Sequence, residues 1–237
     1  MSRAAQDRAA RSTEAEPGAK VTRDVVLAAA LALIDRDGVA RLSMRRLAAE
    51  LACDPMTLYR YAPSKAALLD GVAETVLAQL DVDASDPDWH AQLRALARSY
   101  RELALAHPGV VPLLVMLPLT TPLARRPRGA LRPLEDILAL LTGVGFSGAD
   151  ALHSYRAFFG FLHGHVLNEL QELVESPDEI DDLLRLGLHR LPIGEFPVLR
   201  SLASDLCSYD GATELERGLD ILLGGLAPHD PAARLQS

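Results

Sequence analysis

The chain has 237 residues, 49% of them hydrophobic, and a formal net charge of −8, which supplies core material for one large or two smaller globular domains. No apolar run is long enough to cross a bilayer, and charges stand where a signal peptide needs an apolar stretch. Two cysteines, Cys53 and Cys207, have no metal-ligand spacing and suit a reducing compartment, so a cytoplasmic protein with no membrane partner is expected.

Ala and Leu dominate and no alternating β-branched runs appear, so the fold class is read as all-α. Residues 1–20 hold almost no large apolar side chain and include Pro17-Gly18, which predicts a disordered tail. Arg3, Arg8 and Arg11 would suit an arm in a DNA minor groove, but Asp7, Glu14 and Glu16 cancel their charge and favour a plain solvated tail. Thr22 reads as the N-cap of a helix running to Asp37, with Val25, Val26, Ala29, Ala32 and Leu33 inward and Gly38 as its stop.

Ser43 caps a second, short helix. Its Met44, Leu47, Ala48 and Leu51 recur at three-and-four spacing and leave Arg45 and Arg46 outside. Ala52-Cys53-Asp54 form a turn, and Asp54-Pro55 opens a third helix with a cap acceptor and a proline where its missing N–H costs nothing. A longer helix starts at Ser64. Two short helices joined by a tight turn follow the grammar of a helix-turn-helix, whose second helix reads the major groove.

Downstream, Asp83–Asp88 is a polar break around Pro87, and an amphipathic helix from about Asp88 to His107 is stopped by Pro108-Gly109. The apolar VVPLLVMLPL segment is kept short or kinked by Pro112 and Pro118. A helix over residues 125–142 carries Leu131, Leu134, Ile137, Leu138 and Leu141 and is closed by Gly143 and Gly145. Ser147 caps the next, which runs to about Glu175 and presents Leu152, Tyr155, Phe159, Leu162, Val166 and Leu170 as one seam. Ser176 to Glu195 is acidic, contains Pro177, Pro192 and Gly194, and predicts a mobile loop with a helical turn near Ile180 to Leu186. A last helix, Thr213 to Leu226, lines up Leu215, Leu219, Leu222 and Leu226 beside Gly218 and Gly225. Both leucine-rich stripes suit a dimer bundle, and both also suit burial inside one subunit.

Charge is unevenly spread. Between Lys20 and Lys65 eight cations face five anions, whereas from Ala66 onward 13 cations face 24 anions. A polyanion is drawn to the first segment and repelled by the second, so a pI near 5.4 does not argue against DNA binding.

Thr57-Leu58-Tyr59-Arg60-Tyr61 running into Pro63-Ser64-Lys65-Ala66-Ala67-Leu68-Leu69, after Ser43-Met44-Arg45-Arg46-Leu47-Ala48, resembles the tetracycline-repressor (TetR) family of transcriptional regulators. The Trp89 region, Leu134-Glu135 with Gly145-Phe146-Ser147, and Val166-Leu167 extend a weaker likeness to the tetracycline-repressor subclass over most of the chain. The resemblance implies an N-terminal three-helix helix-turn-helix domain, residues 21–67, and a larger helical ligand-binding and dimerisation domain, residues 68–237. It further implies a homodimeric repressor on a palindromic operator in double-stranded DNA, released by a small-molecule effector.

Residue chemistry agrees. Thr57 offers a hydroxyl and a methyl to a base edge or phosphate, Tyr59 a phenol to phosphate, and Arg60 or Tyr61 reach bases or backbone. Pro55 and Met56 open the recognition helix, Lys65 adds a cation at a helix start, and Ser43 and Arg45 complete the DNA-binding set. Leu47, Leu51, Leu58 and Leu68 are read as core, and Tyr61 packing inside the domain stays open beside DNA contact.

The likeness to the tetracycline repressor breaks where its drug and magnesium bind: positions that are polar there fall on Leu96, Ile137 and Asp81. A pocket of Leu96, Tyr100, Met116, Ile137, Phe158 and Phe159 is apolar, with Tyr100, His107, His163 or Asn168 as sparse hydrogen-bonding groups. It suits a larger hydrophobic effector such as an antibiotic or polyketide. His165 and Glu169 lie at i, i+4 and could share a divalent ion, but no third ligand follows at fixed spacing, so neither metal nor cofactor is expected. No catalytic residues are assigned. A helical enzyme lacks a visible nucleophile–base pair or phosphate loop, since Gly143, Gly145 and Gly148 follow no strand. A structural interaction protein, with Ser43 to Lys65 as a merely solvated surface, is the other alternative.

Overall fold

The structure, a computed structural model, describes residues 21–115, 128–174, 190–206 and 208–227. Among the described residues there are helices and turns and no strand. The chain divides into two compact units, Met1–Leu68 and Leu69–Ser237.

The first unit holds α1 (Arg23–Asp37), a 3₁₀ turn (Val39–Arg41), α2 (Met44–Glu50), α3 (Pro55–Leu58) and the start of α4 (Lys65–Leu77). Each helix begins where a short polar side chain satisfies a free N–H: Thr22 accepts from Val25, Ser43 from Arg46, Asp54 from Met56, and Ser64 from Ala67. Gly38 ends α1 at φ +80°, where a side chain would be strained. Between α2 and α3, Ala52 at φ +47° makes the corner.

The inward face of α1 differs from the sequence expectation. Val26, Leu27, Ala30, Leu33 and Ile34 are buried, whereas Val25 and Ala29 are half-buried and Ala32 is exposed. A run reading VVLAAALALI is apolar all round, so its periodicity leaves the inward face to its partners. In α2 the expected face holds: Met44, Leu47 and Ala48 are buried, and Arg45 and Arg46 are outside.

The second unit holds the rest of α4, then α5 (Trp89–Ala106), a 3₁₀ turn (Pro108–Val110), α6 (Val111–Val115), α7 (Arg128–Gly143), α8 (Gly148–Val174), α9 (Pro197–Ser201), α10 (Ala203–Leu206) and α11 (Gly211–Gly224). At its centre α8 packs on α5, α7 and α11, and α5 also meets α11. Leu93, Leu96 and Tyr100 of α5, Ile137, Leu140 and Leu141 of α7, and Leu162 and Val166 of α8 are buried. From α11, Leu215, Leu219 and Leu223 join the core, so Leu223 takes the place expected of Leu222 and Leu226.

The two stripes offered as dimer seams are thus largely covered within one subunit. Pro133 lies inside α7, and Gly129 at its start donates its N–H to Glu74 of α4 at 3.0 Å. The expected tail, the 125–127 start of the seventh helix, the acidic loop before residue 190, Met116 and Cys207 lie outside the described residues.

Candidate functional site

In the first unit the Asp54-Pro55 cap sets the direction of α3, and hydrogen-bonded turns carry the chain on to Ala62, whose N–H reaches Leu58 O at 2.9 Å. Leu58 is fully buried and anchors the segment, while Met56 is 71% and Tyr59 44% exposed, with Arg60 also in solvent. Met56 lies in α3, and Tyr59 and Arg60 follow in the hydrogen-bonded turn that leaves it, all three exposed. Thr57 and Pro55 are half-buried at its margin.

Tyr61 points elsewhere. It is half-buried and its hydroxyl donates to Val21 O at 2.6 Å, so its position is inside the domain and not on the outward face. Lys65 is half-buried too, its ammonium donating to Val39 O at 3.3 Å, and it must leave that carbonyl to meet a phosphate. Ser43 has its hydroxyl engaged as the cap of α2.

The arginines divide. Arg36 grips Glu50 with two nitrogens at 3.3 and 3.1 Å and also reaches Asp37. Arg46 binds Asp37 at 2.7 Å and Arg41 O at 3.2 Å. Partial burial alone would raise the Asp37 carboxyl, but hydrogen bonds and charge from Arg36 and Arg46 outweigh it and hold it below its usual range. Arg41, Arg45 and Arg60 have no such partner among the described residues, and they are the cations free to meet phosphate. Sequence reasoning placed Arg45, Arg60 and Lys65 in the DNA-binding set and left Arg36, Arg41 and Arg46 outside it. Pairing across helices is a tertiary fact with no spacing signal.

In the second unit, α5 and α8 bring together the residues proposed for an effector. Tyr100 of α5 meets Phe159 edge-on at 6.0 Å between ring centroids and lies 5.6 Å from His163. Phe159 also touches Phe158 at 5.5 Å, His163 at 5.7 Å and Tyr155 at 4.8 Å. Tyr155 was read from sequence only as part of a packing seam. Tyr100 is 1% exposed, and its hydroxyl has no hydrogen-bond partner among the described residues. Burial pushes this phenol up and His163 below the ordinary histidine value, so both stay neutral at physiological pH.

Leu96 and Ile137 are fully buried, His107 is half-buried, and Asp81 is exposed. Asn168 is exposed on the opposite side of α8 from Phe159, nine residues along, so it does not join the rings.

His165 and Glu169, paired by spacing in the sequence, belong to a second buried group whose third member, Arg101, the sequence did not signal. Arg101, next to Tyr100, pairs with both carboxylate oxygens of Glu169, which is buried on α8. His165 sits 3.6 Å from the same carboxylate with its Nε2 lacking a hydrogen bond, and burial lowers its pKa. Gly211 at the head of α11 lies so close that a Cβ there would collide with Glu169. Among the described residues no group of three or more His, Cys, Asp or Glu side chains could hold a metal ion.

Both units match known family models. Residues 83–229 match the model of the family described as "Tetracyclin repressor-like, C-terminal domain", and residues 26–72 that of "Bacterial regulatory proteins, tetR family". The chain belongs to the tetracycline-repressor family. Within it, the chain is 31% identical to the class A tetracycline repressor of transposon 1721 from Escherichia coli, over 88% of this chain and 91% of that protein. It is 29% identical to the transcriptional repressor DrrR1 of Streptomyces coeruleorubidus, over 87% of this chain and 80% of the relative.

The structure of the TetR-family protein ActR of Streptomyces coelicolor, solved with actinorhodin, superposes with a TM-score of 0.76 at 29% identity. That match covers 88% of this chain and 97% of ActR. Members of the TetR family are ligand-responsive transcriptional regulators, and so is this protein. Its relatives are regulators and not enzymes. No helix among the described residues is long and apolar enough to cross a membrane.

Proposed function

We propose that the protein is a homodimeric repressor, acting in the cytoplasm, that holds a palindromic operator and lets go when an uncharged, largely apolar effector enters the second unit. One observation carries the DNA half of this reading: Met56, Tyr59 and Arg60 stand in solvent on a short helix and the turn that follows it, a segment anchored by buried Leu58 and capped by Asp54. Thr57 and Pro55 flank that face, and Arg45 with its unengaged guanidinium supplies a phosphate contact beside it. Ser43, Lys65 and Tyr61 support the reader more than they read, because each is engaged inside the domain.

The effector half rests on the ring cluster of Tyr100, Phe158, Phe159 and His163, which holds no ionised side chain. Leu96 and Ile137, which the sequence resemblance sets against polar drug-binding positions of the tetracycline repressor, are buried and apolar, so magnesium–tetracycline is not the proposed effector. ActR was solved with actinorhodin, and a bulky natural product of that kind is the class proposed here.

The test is fluorescence anisotropy with a labelled fragment from the region flanking the protein's own gene, titrated first with salt and then with a panel of aromatic and of small polar compounds. Specific binding that weakens steeply with salt and is reversed by an aromatic compound is expected. Salt-insensitive binding would defeat the operator reading, and release by polar metabolites alone would defeat the effector class.

A further inference from the structure

We propose that the effector presents a neutral hydrogen-bond acceptor, a carbonyl or quinone oxygen on a planar ring system, to the hydroxyl of Tyr100. The proposal rests on the effector reading above and specifies its chemistry. Tyr100 is 1% exposed, and its hydroxyl has no partner among the described residues. Polar groups buried this deeply are almost always paired, and an exception calls for a partner that the surrounding side chains do not supply. The tyrosine ring stands among aromatic side chains: Phe159 at 6.0 Å and His163 at 5.6 Å between ring centroids, with Tyr155 and Phe158 at 4.8 and 5.5 Å from Phe159. A flat aromatic body that displaced part of this packing would meet rings suited to offset or edge-on stacking.

The polarity of the missing partner follows from the chemistry. Burial raises the phenol, so Tyr100 remains a protonated donor and its complement is an acceptor. Half-buried His163 has its pKa lowered by desolvation and brings no charge at neutral pH. Arg101, next to Tyr100 in sequence, is closed on Glu169, and Arg98 is bound to Glu216, so neither guanidinium is left to pair with a carboxylate on the effector. A neutral acceptor satisfies the one polar group without creating another.

Isothermal titration of the full-length protein with a water-soluble 9,10-anthraquinone derivative and with its anthracene counterpart, alike but for the two carbonyl oxygens, tests this. Wild type should bind the quinone roughly tenfold more tightly, and Tyr100→Phe should remove that preference while leaving the hydrocarbon's affinity unchanged. The ligand-free Tyr100→Phe protein should melt no lower than wild type, because it loses an unpaired hydroxyl and no hydrogen bond. Its operator affinity reports that the variant is folded. Equal binding of the two compounds to wild type would overturn the proposal, as would an unchanged quinone preference in Tyr100→Phe. If neither compound binds, the planar acceptor class is wrong, whereas release by other apolar compounds would leave the repressor reading standing.

Discussion

Tyr59 and Tyr61 are two residues apart and face different surroundings, because the chain leaves the helical path after Leu58 and turns Tyr61 back onto Val21. Tyr61→Phe removes a part-buried hydrogen bond and should cost the domain about 1 kcal/mol in denaturant unfolding, with little change in operator affinity of the folded protein. Tyr59→Phe should do the reverse: unchanged melting and weaker operator binding. The arginines divide by the same reasoning. Arg45→Ala should lower affinity across DNA sequences and reduce the slope of log K against log salt by roughly 1, the signature of one lost phosphate contact. Arg46→Ala, which releases Asp37 and the Arg41 carbonyl, should lower the melting temperature and leave that slope closer to wild type. The outward residues were legible in the sequence, because cap, proline and spacing fix one side of a short helix. Which tyrosine and which arginine turn inward was not, since that depends on Val21, Val39, Asp37 and Glu50 arriving from other elements.

At the scale of elements, α8 is the organising helix because it has two buried faces, one of rings at Phe159 and His163 and one carrying His165 and Glu169. The second face fixes where α11 begins: Glu169, held by Arg101, lies against Gly211, and the space for a methyl group is already filled. Gly211→Ala must displace a buried, ion-paired carboxylate and should destabilise the protein by about 1–3 kcal/mol, read by thermal or denaturant melting. Gly148→Ala at the first position of α8 serves as the control and should change little, since a Cβ there meets nothing within 4 Å. Arg94 and Arg98 of α5, bound to Glu216 and Asp220 at 2.6–3.1 Å, add a more exposed tie to α11. Asp88 and Ser147 cap their helices as local chemistry predicts, whereas α11 spans Gly211–Gly224 behind an Asp210 cap, two residues ahead of the expected Thr213–Leu226. The ion pairs join residues 68 or more apart in sequence and have no periodic signal.

For the whole molecule, acid should act in two stages. His163 and His165 are both depressed by burial, so as pH falls below about 6.5 the unfolded chain takes up their protons before the folded one does. Glu169 partly offsets the shift of His165, and Arg101 adds to it. Their contribution to stability is therefore full above that value and is lost as pH falls through the lowered pKa values. Asp37, Glu50 and Glu216 are also held low, chiefly by their arginine partners, and their share is lost only at more acidic pH. The melting temperature should drop between pH 7 and 5, and a His163→Asn, His165→Asn double variant should flatten that part of the curve. Association is predicted on the outer side of the same helices. Gly160, Gly164 and Leu167 share a face of α8 with open space at both glycines, and Ile221 of α11 is 81% exposed. Ile221→Glu with Leu167→Glu should halve the mass measured by light scattering, and an unchanged dimer would move the interface elsewhere.

What the sequence determined by itself was local: an all-helical chain, its caps and stops, a helix-turn-helix with its outward residues, and a basic segment ahead of an acidic remainder. Those features depend on neighbours within about four residues, where spacing, capping and proline geometry act. Only the tertiary structure decided that Tyr61 and Lys65 are engaged inside the domain, that Arg36 and Arg46 are paired, and that the seam of α8 is covered within its own subunit. It alone left the Tyr100 hydroxyl unpartnered among rings. Each of those outcomes depends on which distant side chain arrives, and an amphipathic pattern records that a face is apolar without recording what will cover it.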